Sequence, residues 1–505
     1  MRNRKRIATA MLTAVTAIFT AALGVSACCE ETPATDIVDG GEFILGSATE
    51  LNDFDPYSSI TADVRSVNFN IFEGLVKVQP NGDFTPAIAS DYEVSEDGTV
   101  YTFTLREGVK FHNGEDVTED DVLYSVQKAI DATAAGYGEI ETYEINDEGK
   151  LVFTLNTADQ NLIPYLTQPI IPKDYEEQSL SPIGTGPYKL TEYAEQDHVT
   201  LEKNEDYWGT GGHLDKITIK FAASQADLYL DFQAGSIDGF SASAATLSQL
   251  DEDEVNLYIE YSNAVQLLAL NNSFEPFQNQ QVREALNYAV SADEIIDIAF
   301  YGYGTKIGSG LIPALEKYYD DSLADVYDQD LDKAKELLEE AGYADGFSFT
   351  ITVPSVYEAH VATAEVIVNQ LAQIGVNAEI KQVDWATWLE SVYQGREYEA
   401  TIISLDGSLA YPTSFLSRYV SDASNNFVNF ASEAYDEVYA KAIAATTDEE
   451  RVELFKEAQK ILNEESASVY IQDIASFLVY NKNFEGNVRY PLYAKDYTAI
   501  YKVAE

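Results

Sequence analysis

The sequence predicts a mixed α/β fold with a large apolar core, and three observations carry that prediction. Hydrophobic residues make up 46% of the 505 residues and aromatics 12%, more than a disordered chain holds. Segments that alternate apolar and polar with period two, the mark of half-buried strands, recur along the chain. Between them lie segments with apolar residues at helical spacing behind Ser, Thr or Asp caps. A chain of this length allows two to four domains.

The first element is an export signal. Arg2, Arg4, Lys5 and Arg6 stand ahead of residues 7–27, which contain no charge. Val25-Ser26-Ala27-Cys28 resembles the bacterial lipobox, in which small residues precede a cysteine that is lipidated and becomes the new N-terminus. An uncleaved membrane anchor is the competing reading, because 21 uncharged residues can span a bilayer. Residues 28–40 read as a polar tether, and no second apolar span follows.

Beyond the tether, residues 42–46 read as a strand, and residues 101–105 and 151–155 alternate with period two. A helix is expected at 117–129. Strands are read at 217–221, 347–353, 378–383 and 400–405. Ser291 with Glu294, and Thr447 with Glu450, read as capping boxes that open helices. Asp332 is placed to open a helix whose apolar face is Ala334, Leu337, Leu338 and Ala341, with Gly342 ending it. Residues 265–271 and 469–479 are apolar enough to be deeply buried strands.

Lys and Arg total 31 against 85 Asp and Glu, a net charge of −54. Such a surface repels phosphate backbones, which argues against nucleic acid as a partner. The acidity reads as a solvated surface or as attraction for cationic ligands. Two adjacent cysteines, Cys28 and Cys29, build neither a disulfide framework nor a Cys-rich zinc site. The four histidines have no helical zinc spacing, and His112 reads as a satisfied turn residue. Nucleophile elbow, phosphate loop and dinucleotide fingerprint are all missing. No enzyme activity, catalytic residue, metal or cofactor is therefore expected.

Residues 90–98, continuing through Tyr101-Thr102-Phe103-Thr104-Leu105-Arg106-Glu107-Gly108-Val109-Lys110-Phe111-His112-Asn113-Gly114, resemble a family signature. The family is the extracellular solute-binding proteins, family 5, of ABC transporters, which includes oligopeptide, dipeptide and nickel binders. Other stretches match in order: Asn70-Ile71-Phe72-Glu73-Gly74-Leu75, Gly184-Thr185-Gly186-Pro187-Tyr188, and Asn204-Glu205-Asp206-Tyr207-Trp208-Gly209. Pro276-Phe277, Val282-Arg283-Glu284-Ala285-Leu286, Leu371-Ala372-Gln373-Ile374-Gly375-Val376 and Pro412-Thr413-Ser414-Phe415-Leu416 continue the series.

The resemblance implies a two-lobed, periplasmic-binding-protein-like fold of class C type, with an inserted subdomain and a ligand cleft between the lobes. Lobe I would take residues 41–69, 184–264 and 480–505, the insert 70–183, and lobe II 272–475. Residues 265–271 and 469–479 would be the hinge crossings. The implied function is capture of a peptide or peptide-like solute by lobe closure and delivery to an ABC permease and ATPase complex. The protein would be a monomer, held by its N-terminal lipid at the outer face of the cytoplasmic membrane, on the periplasmic side where an outer membrane exists. An oligosaccharide or metal chelate is the alternative ligand; a surface hydrolase is a remote one.

By the same resemblance, Ser47, Ala48, Thr49, Glu50 and Leu51 form the first-lobe contact loop. Trp385 falls where oligopeptide binders carry a pocket tryptophan, and reads equally as a stacking wall or as packing against Trp388. His360 lies near a family position that meets the peptide carboxylate; the plainer reading is a surface histidine at a helix start. Peptide binders carry Gly-Trp-x-x-Asp before the later Pro, and the Asp pairs with the ligand's α-ammonium. Here those positions hold Ser404, Leu405 and Ser408. A free peptide N-terminus docked there meets a neutral hydroxyl, so longer or blocked peptides are favoured unless another carboxylate acts as the clamp. Asp406 is the first candidate.

Overall fold

The computed structural model describes residues 37–58, 61–157, 162–251 and 253–504, apart from the side chain of residue 245. The signal, Cys28 and residues 29–36 lie outside the described residues. Within the tether segment, Ile37–Val38 pairs antiparallel with Tyr501–Val503.

One strand organises the fold. Val469–Asn481 pairs near its start with Ala264–Leu270 and Gly304–Lys306, and towards its end with Gly239–Ala242 and Val255–Tyr261. Its side chains alternate between packing clusters, as period two requires. Val469 and Ile471 enter one cluster and Tyr470 another; farther on, Phe477 and Val479 enter a third, Leu478 and Tyr480 a fourth. Burial relaxes only at Ile474–Ser476, where the strand passes from one pair of cores to the other. Val469–Asn481 is thus a crossing strand between two pairs of cores.

Around that strand runs a continuous sheet. Its order is Asn377–Val383, Ser348–Pro354, Ala400–Asp406, Ala264–Leu270, Val469–Asn481, Gly239–Ala242, Glu42–Ser47, Lys216–Phe221, His198–Lys203 and Tyr188–Ala194. Ala264–Leu270 is buried along its whole length because both of its faces are covered. Val265, Leu267 and Ala269 pack on one side, Leu268 and Leu270 on the other. Parallel pairing of Ser348–Pro354 with Asn377–Val383 needs a crossover, which the helix Glu358–Ala372 supplies.

Residues within the expected insert form a separate four-stranded antiparallel sheet, in the order Ala89–Val94, Val100–Leu105, Leu151–Leu155, Ile140–Ile145. Tyr101, Phe103, Leu151 and Phe153 fill its core together with Val122 and Val126 of the helix Glu119–Asp131. That helix begins two residues later than expected because Thr118 and Asp121 form a reciprocal capping box. His112 is satisfied as a turn residue: Gly184 N donates to Nδ1 at 3.3 Å and Nε2 meets Gly186 O at 3.1 Å. Burial lowers its pKa to about 4, so the ring is neutral.

Two capping expectations change. Asp330, not Asp332, opens the helix Leu331–Glu340, since its side chain accepts from the amides of Asp332 and Lys333. Gly342 takes the left-handed conformation after that helix, with φ +87°, as a stop residue does. Ser291 caps Glu294 N, but its own amide is taken by Gln370 Oε1 at 3.2 Å. Half of that box is therefore replaced by a tertiary contact. Thr447 caps Glu450 N as expected.

Candidate ligand-binding cleft

The helix Ala62–Ile71 has two faces set by its spacing. Val64, Val67 and Ile71 enter the core, while Asp63, Ser66 and Asn70 form a polar stripe three and four residues apart. That stripe pins the C-terminal loop. Tyr493 OH donates to Asp63 Oδ1 at 3.0 Å, and Lys495 N donates to Ser66 Oγ at 3.0 Å. Asn70 Nδ2 donates to Lys495 O at 2.7 Å, and Asn70 Oδ1 accepts from Tyr497 N at 2.8 Å. From the crossing, Asn263 Nδ2 donates to the carbonyls of Tyr490 and Leu492 at 2.9 and 3.0 Å. Asn263 has φ +52°, a conformation that Asn tolerates better than most residues.

Three cavities adjoin this loop. The first, about 300 Å³, lies among Arg65, Lys77, Phe84, Ser408, Tyr490 and Tyr493. The second, about 270 Å³, lies at the crossing among Glu260, Tyr261, Glu316, Asp473, Arg489 and Lys495. The third, about 200 Å³, is bounded by Ser47, Thr49, Asp63, Ser241 and Lys495. Tyr493 lines all three.

The charged groups of the cleft are unusual for their depth. Asp473 is 1% exposed, and burial raises its pKa to about 7 despite bonds from Ser262 and Ala264. Lys495 keeps partial exposure, yet its ammonium lies deep enough that burial lowers its pKa; Glu260 and Asp63 oppose the shift. Its Nζ donates to Ser241 Oγ at 3.1 Å. Among the described residues no group of three or more His, Cys, Asp or Glu is placed to hold a metal ion.

The residues expected from the sequence separate into three places. Ser47, Ala48, Thr49 and Leu51 line the third cavity, with Ser47 Oγ closing a turn onto Thr49. Glu50 turns away; its carboxylate accepts from Tyr193 OH and Gln196 N. Ser408 lines the first cavity. Ser404 has a buried hydroxyl without a hydrogen-bond partner, and Leu405 is buried in the same core cluster as Trp388. Asp406 pairs with Arg65 at 3.0 Å, and its carbonyl accepts from Arg418.

Trp385 packs against Trp388, as one of its two readings expected, and lines none of the three cavities. One face stacks on Trp388, with ring centres 5.1 Å apart and planes 7° apart, while the residue remains 38% exposed. Tyr357 meets it edge-on. The surface reading of His360 is corrected: it is 5% exposed, with Nδ1 against Gln266 Nε2 at 3.1 Å. Gln266 also meets Thr363 and Gln472, so His360 ends a buried polar chain that starts on the crossing strand. Burial lowers its pKa to about 4.

Arg65, Tyr490, Tyr493, Lys495 and Asp473 were missed from the sequence. The one available signal was the density of Tyr around Pro491 in a stretch without strand or helix period.

The model of bacterial extracellular solute-binding proteins, family 5 Middle, matches residues 83–427. The di/tripeptide-binding protein 1 of Pseudomonas aeruginosa is 30% identical over 474 residues, covering 85% of this chain and 87% of its own. Heme-binding protein A of Haemophilus influenzae is 29% identical over 479 residues, covering 86% of each. Among solved structures, the periplasmic binding protein DppA of Helicobacter pylori in complex with the peptide STSA superposes with a TM-score of 0.78. It is 26% identical, over 92% of this chain and 99% of that one.

Proposed function

The chain belongs to the bacterial extracellular solute-binding proteins, family 5, and from that premise we propose that it captures peptides for an ABC importer. The observation that carries this reading is the cleft itself. Its walls come from the middle of the crossing strand at Asp473 and Ser476, from the helix Ala62–Ile71 and from residues of the insert, and one tyrosine-rich loop runs through all of it. An extended peptide in such a groove forms backbone hydrogen bonds and places side chains in the separate cavities. Three modest cavities in series suit successive side chains better than one compact metabolite.

Capture proceeds by closure of lobe I (residues 41–69, 184–264 and 480–505) on lobe II (272–475) about residues 265–271 and 469–479. The loaded form is handed to the permease and ATPase complex, with no chemical step on the ligand. Lipid on Cys28 holds the receptor at the outer face of the cytoplasmic membrane, with the body facing away from the cytoplasm. Among the described residues no helix is long and apolar enough to cross a membrane, which suits anchoring from outside that body.

Native mass spectrometry of protein purified from its host tests the reading. Bound masses that differ by amino-acid residues support it. A hexose-spaced series or a metal chelate in their place overturns peptide as the ligand. Small-angle scattering before and after addition of the retained ligand tests closure: the radius of gyration falls, and an unchanged radius with binding established overturns it.

A further inference from the structure

We infer that Asp473, on the strand joining the lobes, is the group that receives the ammonium of the ligand; this rests on the peptide reading above. The loop after Ala400–Asp406 offers no free carboxylate for that purpose. Position 408 is a serine, and the Asp406 carboxylate is already held by Arg65 at 3.0 Å. The crossing strand does offer one.

Asp473 Oδ1 accepts from Ser262 Oγ at 2.9 Å and from Ala264 N at 3.3 Å. The backbone amides of Ser262 and Asn263 face the same carboxylate; all of these donors are neutral, and Asp473 forms no ion pair among the described residues. A buried carboxylate without a counter-charge is costly, and charge is restored either by a proton or by a cation from outside. The second cavity, which Asp473 lines, brings such a cation within reach.

The protein's own cations at that cavity are held by groups other than Asp473. Lys495 Nζ donates to Ser241 and is drawn towards Glu260 and Asp63. The Arg489 guanidinium lies over the Tyr261 ring, 5.8 Å from its centre. On the strand Gly304–Lys306, Thr305 stands opposite Asp473, and the Lys306 ammonium is surrounded by Asp293, Asp325 and Asp328. Glu260 accepts from Asn487, and Glu316 lines the same cavity. Tyr319 also lies close enough for its phenol to feel the Asp473 charge. With all groups ionised, the lining holds Glu260, Glu316 and Asp473 against Arg489 and Lys495, so an added cation balances it.

The placement has a proton signature. The raised pKa of about 7 means that below neutrality Asp473 holds a proton. An ammonium can pair with it only after that proton leaves. Binding of a free amine as its ammonium therefore releases close to one proton at about pH 6, whereas at about pH 8 the peptide amine, close to its own pKa, takes up a fraction of a proton instead.

The test is calorimetry with trialanine and N-acetyl-trialanine on the wild type and on Asp473→Asn, at both pH values and in two buffers of different ionisation enthalpy. The wild type binds the free amine about tenfold or more tightly than the acetylated form at pH 8, the usual scale for a charge-assisted hydrogen bond. Asp473→Asn removes that preference, so the free and acetylated forms bind the variant alike. Proton release at pH 6 with trialanine disappears in the variant. A preference that survives in Asp473→Asn, or wild-type binding without proton release, overturns the assignment and leaves the peptide reading standing. If neither probe binds the wild type, the peptide reading fails and this inference with it. Should the variant not fold, wild-type proton release decides.

Discussion

Arg65 NH2 and Asp406 Oδ2 lie 3.0 Å apart, which joins the helix Ala62–Ile71 to the end of the strand Ala400–Asp406 across the mouth of the cleft. On the lobe boundaries proposed above the two residues fall on opposite lobes, and on that proposal their pair forms as the cleft closes. Both remain partly exposed, at 35% and 54%, so the pair contributes little to stability, roughly 0–1 kcal/mol.

Arg65→Ala accordingly leaves the melting temperature nearly unchanged and shifts the ligand-free protein towards an open form. Scattering on the ligand-free variant checks this through a larger radius of gyration. The shift weakens in wild type as salt rises, because exposed charges are screened. A large loss of stability, above about 2 kcal/mol, contradicts the account.

Ser408→Asp adds a carboxylate to the cavity that Arg65 also lines. In the wild-type background Arg65 competes for it, so affinity for a peptide whose lysine side chain enters that cavity rises by less than about tenfold. In the Arg65→Ala background the same change yields more, up to about 1–3 kcal/mol. A double-mutant cycle by calorimetry measures the difference, and strict additivity rules out the competition.

Buried histidines and the buried aspartate affect acid stability in opposite directions. His360 has a folded pKa of about 4, below its unfolded value. Between about pH 4 and 6.5 the unfolded chain therefore binds a proton that the folded chain does not, and stability falls as pH falls. Asp473, raised to about 7, binds its proton in the folded state first, so its contribution falls as pH rises from about 4 to 7. His360→Gln thus reduces the stability lost between pH 7 and pH 5 by about 2 kcal/mol, and Asp473→Asn increases that loss. Denaturant titrations at the two pH values read both signs.

Cys28→Ala stops lipid attachment at that position and leaves unprocessed precursor at the membrane. Mass spectrometry of the N-terminal peptide checks it. Diacylglyceryl modification at Cys29 in the variant moves the assignment by one residue.

Much of the fold was legible because local periodicity reports local burial. The strands near 101–105, 151–155 and 400–405 appear within a residue or so of their expected bounds, and the apolar runs at 265–271 and 469–479 form the buried strands Ala264–Leu270 and Val469–Asn481. Cap positions were less secure, because a neighbour from elsewhere can occupy a cap: Gln370 takes the Ser291 amide that a local glutamate was expected to hold. Register by resemblance placed Ser408 beside a cavity, but placed Leu405 in the core beside Trp388.

By itself the sequence determined the fold class, the family and the existence of the buried strands near 265–271 and 469–479, since these depend on composition, period-two patterning and ordered motifs within short windows. Only the tertiary structure decided which carboxylates are free. Asp406 and Arg65 are 341 positions apart in sequence, and Asp473 meets Ser262 across 211. Whether a carboxylate is paired, hydrogen-bonded or left facing a cavity depends on what distant segments bring to it. The free energy of a buried charge is set by those neighbours and by the water they exclude, neither of which is encoded in the residue's local sequence.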